Sequence, residues 1–172
     1  MPRRFRRAER AAFGLLAAAL LSLATALQAT PVQAELSGSV SARGLFGIDG
    51  RYGGALLADL WGTRGVVRPG AAFGIGALAK GDDASSRIVT PFAFSLAVVP
   101  SGDRTGFVGA LRLGGYAGAE KGGFIAGGFG AATLGIGIAL GEGASLQLGA
   151  DAWGLLGKRG GAFFGPSIGL GF

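Results

Sequence analysis

The chain has 172 residues, enough for one domain, with glycine at 36 positions, apolar residues at 49% and a formal net charge of +6. That apolar content excludes disorder, and six prolines without a triplet glycine period exclude a collagen. With no cysteine and no histidine, a disulfide framework, thiolate or imidazole metal sites and imidazole-base catalysis are excluded as well.

Residues 1–10 are basic, carrying Arg3, Arg4, Arg6, Arg7 and Arg10 against Glu9. Five of the sixteen basic residues and one of the ten acidic ones therefore lie there, which leaves eleven against nine in the rest. The high pI comes mainly from this leader and makes no case for nucleic acid. The apolar run 11–27 follows, then Val32-Gln33-Ala34 before Glu35. A charged segment, an apolar segment and a small-x-small site define a secretory signal peptide, with cleavage expected between Ala34 and Glu35. An uncleaved anchor is the alternative, because the run is long for a signal peptide, yet it is short for a full span. The arginines do not match a twin-arginine motif, and no cysteine is present for a lipoprotein anchor. The domain reading is a signal peptide at 1–34 and one domain at 35–172.

From residue 35 the hydropathy alternates with a period of two, which predicts β-strands. Eight runs are read in order: 36–48, 52–62, 70–80, 87–99, 105–118, 124–140, 144–156 and 162–172. Between them lie IDGR, GTRG, GDDASS, PSGD, AEKGG, GEG and GKRGG, all turn-rich. Eight regularly spaced strands with short turns predict an all-β, antiparallel up-and-down sheet closed into a barrel.

The faces of these strands differ. One carries Phe92, Phe94, Leu96 and Val98, then Phe107, Leu111 and Leu113, then Leu134, Ile136, Ile138 and Leu140, then Leu146 and Leu148. The other carries Gly, Ala, Ser, Thr and a few charges. A wall of small residues is a poor water-facing exterior but fits the narrow lumen of eight strands. The bulky face is therefore expected outward, toward lipid, which makes this a transmembrane barrel. Arg43, Asp59, Arg112 and Asp151 fall in mid-strand on the small-residue face. They are expected to form a charge network in the lumen, where mutual pairing lowers the burial penalty.

Two features strain this reading. Pro91 and Pro166 lie inside strands, so a bulge at each, or a later strand start, is expected. Trp61 and Trp153 fall inward by parity, where interface positions would be usual; a bulge would rotate them outward. The glycine load weakens strands, and tight coiling in a narrow barrel is the reason offered for it.

The closing stretch, FFGPSIGLGF, places Phe164, Pro166, Ile168, Leu170 and Phe172 on one face with small residues between them. It resembles the terminal strand of bacterial outer-membrane barrels. Together with the leader and the eight strands, residues 35–172 resemble the small eight-stranded outer-membrane proteins of the opacity-type and outer-membrane-protein-A-like kind. The resemblance implies that Ile168, Leu170 and Phe172 serve as the C-terminal signal read by the barrel-assembly machinery. It also implies a location in the outer-membrane lipid, no cofactor, and a non-enzymatic role in structure or surface interaction. Barrel hydrolases and acyltransferases pair a catalytic serine with histidine, and the missing histidine departs from that pattern.

Other motifs are weaker. GIGALA at 74–79 matches a relaxed dinucleotide fingerprint but continues as strand. GDDASS at 81–86 offers carboxylates that more often are simply solvated, and KRGG at 158–161 reads as a turn. Residues 124–140 would make a small-residue transmembrane helix, but glycine at alternate positions forms helix poorly. Two functional alternatives remain open here: a narrow pore with Arg43, Asp59, Arg112 and Asp151 setting selectivity, and a soluble lipocalin-like barrel with its greasy face inward. The oligomeric state is not readable.

Overall fold

The computed structural model describes residues 36–62, 66–80, 83–99, 105–141, 143–157 and 160–172. The expected leader, its cleavage site at Ala34 and Glu35, and parts of several turns lie outside the described residues. The strands are β1 (Leu36–Gly47), β2 (Arg51–Gly62), β3 (Val67–Lys80), β4 (Asp83–Val98), β5 (Gly106–Glu120), β6 (Gly123–Gly141), β7 (Ala144–Leu156) and β8 (Gly161–Gly171). Each pairs antiparallel with its neighbours in sequence, and β8 pairs with β1, so the sheet is a closed eight-stranded barrel. The helix considered for 124–140 is overturned: that stretch is β6.

The stagger of the closed sheet follows from the register. Stepping across partners from Ser37 leads through Trp61, Gly70, Ser95, Arg112, Ala131, Trp153 and Phe163 back to Gly47. One circuit therefore climbs ten residues of β1, from 37 to 47. Eight strands with that shear tilt at about 40° and give a backbone radius of about 8 Å. Side chains from opposite walls can meet at the axis of so slim a tube.

Every residue of that circuit belongs to the inward set. The outward set is bulky and exposed: Leu134, Ile136 and Ile138 are 62%, 56% and 37% accessible. Phe46 and Tyr52, a cross-strand pair, stand exposed near one rim, and Phe107 and Phe172 near the other. The barrel is thus apolar outside, as a hydrocarbon solvent requires. The lipocalin-like alternative is overturned, because its greasy face would have to line the interior.

The prolines are accommodated differently from the sequence expectation. Neither sits at a bulge. In the β3–β4 ladder the pairs Phe73–Phe92 and Gly76–Val89 flank a gap beside Pro91, and the register is the same on both sides. In the β1–β8 ladder Arg43–Ser167 and Phe46–Phe164 flank an equal gap beside Pro166. A ring nitrogen offers no donor, so the ladder drops rungs there and resumes in phase. The register irregularities lie elsewhere, at Leu78/Lys80 and at Ala139/Gly141. Trp61 and Trp153 consequently stay inward and are buried.

The most crowded strand glycines face inward. At inward Gly118 a Cβ would lie 2.0 Å from the Ile88 carbonyl oxygen, and at inward Gly165 it would lie 1.9 Å from that of Gly44. Such approaches leave no room for a side chain, which ties these glycines to the coiling of the strands. At outward Gly130 the nearest atom, Leu113 Cδ2, would be 3.6 Å away. The β5–β6 hairpin closes over Lys121 and Gly122, both at positive φ, 46° and 76°, the pattern of a two-residue hairpin turn.

Candidate functional site

The lumen is filled in layers, because inward positions of all eight strands converge on one narrow axis. Toward the turn at Asp49 lies an ion cluster. Below it Leu45, Leu78, Val89, Phe129, Trp153 and Phe163 pack as an apolar plug. The Phe129 and Trp153 rings meet edge to face with centroids 5.1 Å apart, a favoured aromatic geometry. Next comes a polar layer, and nearer the chain ends a small cluster of Trp61, Ala97 and Ala110.

The polar layer brings together the four mid-strand charges. Asp59 on β2 accepts two hydrogen bonds from Arg112 on β5, at 2.7 Å from Nε and 2.8 Å from Nη2. This fork-on-fork pairing is the strongest arrangement open to a guanidinium and a carboxylate. Ser95 Oγ donates to the same carboxylate at 3.2 Å and accepts from Trp61 Nε1 at 3.2 Å. On the other side Arg43 of β1 pairs with Asp151 of β7. Arg43 also reaches Ser41 Oγ, 2.9 Å from Nη2, and its guanidinium carbon lies 5.9 Å from the Trp153 ring centroid.

Thr133 joins the two pairs. Its hydroxyl accepts from Arg112 Nη1 at 2.7 Å and from Arg43 Nη1 at 3.3 Å, and donates to Asp151 Oδ1 at 2.6 Å. The layer thus ties β1, β2, β4, β5, β6 and β7 across the tube. All four charged side chains are nearly inaccessible. Their formal charges cancel, two positive against two negative, so the layer meets the requirement that buried charges be paired.

Thr133, Ser41 and Ser95 were not singled out from the sequence, because a hydroxyl on an alternating strand carries no signal by itself. The ion cluster above the plug was also missed. Arg51 pairs with Asp49 and with Glu120 Oε1 at 2.9 Å, and Arg87 Nη2 lies 3.3 Å from the same oxygen. Burial raises the Asp49 carboxyl, but the backbone amide and guanidinium of Arg51 outweigh it and hold the group below its ordinary value of 3.8. The sequence places Arg51 in the turn IDGR and Glu120 in the turn AEKGG. The strands instead run on through Arg51 and Glu120, which carries their side chains into the lumen beside Arg87, a residue the sequence already places in a strand. Ile168, Leu170 and Phe172, the residues of the implied assembly signal, are exposed on the outer face of the barrel. Phe172 exchanges backbone hydrogen bonds with Gly38, at 2.8 and 2.9 Å.

No protein-family model matches the chain, and no curated protein matches it in sequence. Solved structures do. Neisserial surface protein A is similar with a TM-score of 0.58 at 9% identity, over 79% of this chain and 94% of that one. The N-terminal β-barrel domain of Pseudomonas aeruginosa OprF is similar with a TM-score of 0.49 at 15% identity, over 79% of this chain and 97% of that one. At such identities the likeness is one of fold. With the apolar exterior and the charges paired in the lumen, the likeness to neisserial surface protein A defines the class: this chain has the fold of the small eight-stranded outer-membrane β-barrels.

Proposed function

We propose that the protein is a non-enzymatic, non-conducting barrel of the bacterial outer membrane whose role is structural. The observation that carries this reading is the filled lumen. An apolar plug and a fully paired ionic layer lie in series along the axis, and an ion would have to disrupt both to cross. That argues against the narrow-pore alternative, in which Arg43, Asp59, Arg112 and Asp151 would face a water column. Surface interaction is the lesser part of the role, since the connections at the Asp49 end are two to four residues long by the strand bounds. They offer little area to a macromolecular partner.

The reading includes export by a signal peptide at 1–34 with cleavage between Ala34 and Glu35. It also includes recognition of the outer row of β8, Ile168, Leu170 and Phe172, by the barrel-assembly machinery. The permanent partner is outer-membrane lipid, against which the exposed leucines, isoleucines and phenylalanines pack. Reconstitution into planar bilayers tests the proposal. Protein whose gel migration shifts on boiling, and which is therefore a folded barrel, should give no unitary current steps. Reproducible steps from such protein would overturn it.

A further inference from the structure

Between the polar layer and the chain ends the lumen holds a small cavity of about 20 Å³, room for a single small guest. Ser39, Arg43, Arg112, Gln147 and Ser167 line it together with Trp61 and Val108. Both arginines line this space, whereas neither Asp59 nor Asp151 does. The cavity therefore meets the cationic side of two ion pairs that are neutral as wholes. Gln147 Nε2 is buried there with no protein partner. Guanidinium and amide nitrogens can only donate, so the guest they select is an acceptor.

Glycines preserve the room around this donor. A Cβ at Gly171 would come within 2.5 Å of Gln147 Nε2, and one at Gly149 within 3.2 Å of Ser167 Oγ. The approach is from the chain-end side, where Ser37, Ser145 and Gln147 are only partly buried. On the other side the polar layer and the plug close the path. We infer that this blind cavity is a binding site for one halide-sized monovalent anion, held by Gln147 Nε2, the serine hydroxyls and the edges of Arg43 and Arg112. A halide accepts from every direction and donates nothing, which suits the Gln147 amide nitrogen and the two guanidinium edges.

The test is crystallographic and thermal, on the detergent-extracted protein in sodium bromide. An anomalous bromine peak is expected within hydrogen-bonding reach of Gln147 Nε2, absent in Gln147→Leu. The temperature midpoint of the gel shift should rise on the order of 4 °C at bromide ten times its dissociation constant, relative to sodium gluconate of equal ionic strength. Gluconate is too large for the space. A cavity that holds water but never bromide, or a peak that survives in Gln147→Leu, overturns the inference. Should Gln147→Leu not fold, Ser167→Val serves in its place, and the wild-type anomalous map decides the matter by itself.

Discussion

Replacing Asp59 by asparagine removes the charge while keeping the shape. Asp59 is fully buried and accepts three hydrogen bonds, two from Arg112 and one from Ser95. The Arg112 side chain is only 3% accessible, so its charge would be left in the lumen with no carboxylate across from it. Breaking one side of a buried pair costs about 3–5 kcal/mol, and Asp59→Asn is expected to fall in that range. Asp59→Leu combined with Arg112→Met removes both charges. It should cost only about 1–2 kcal/mol, mainly for the partners Ser95 and Thr133 left behind. Urea unfolding in lipid vesicles reads both values. Trp61 and Trp153 are built-in fluorescence reporters, and Trp61 is linked to Asp59 through Ser95. An Asp59→Asn variant within 1 kcal/mol of wild type, or a double variant whose loss equals the sum of those of Asp59→Leu and Arg112→Met made singly, would refute the reasoning.

Three further outcomes follow from the same geometry. Leu134→Arg puts a charge on the outer face and should destabilise the inserted barrel by about 2–4 kcal/mol, measured as the shift in unfolding free energy in vesicles of matched thickness. Gly118→Ala should cost at least about 2 kcal/mol, because its Cβ has no space beside the Ile88 carbonyl, while Gly130→Ala should change stability by less than about 0.5 kcal/mol; parallel urea titrations compare them. The depressed Asp49 carboxyl binds its proton more weakly folded than unfolded, so its contribution is full above its ordinary value of 3.8 and lost as pH falls through the lower folded value. Acid titration of stability should therefore lose a small component below about pH 4 that is missing in Asp49→Asn.

Strand number, order and facing were legible because a period of two survives even a heavy glycine load: Leu134, Ile136 and Ile138 read outward from the sequence and stand outward in the barrel. Which arginine meets which aspartate was not legible. Parity puts all four on one face, but the pairing of Arg43 with Asp151 and Arg112 with Asp59 depends on the ten-residue stagger, which only the closed ladder sets. The prolines misled for a related reason. Proline was read as incompatible with an unbroken register, whereas a curved ladder can omit rungs at Pro91 and Pro166 without slipping. Strand ends were misplaced where polar residues mimic turns: Arg51 and Glu120 are still strand, and they turn inward, where Glu120 pairs with both Arg51 and Arg87.

The gap beside Pro166 bears on how the molecule would come apart. It removes rungs from the join between β1 and β8, which has fewer of them than any other join among the described residues. A cylinder loaded from outside parts along its least-stitched line, and here that line unites the first strand made with the last. Unzipping under tension should start there, and a covalent clamp across Ser41 and Gly169, which face each other on that line, should move the rupture to another join.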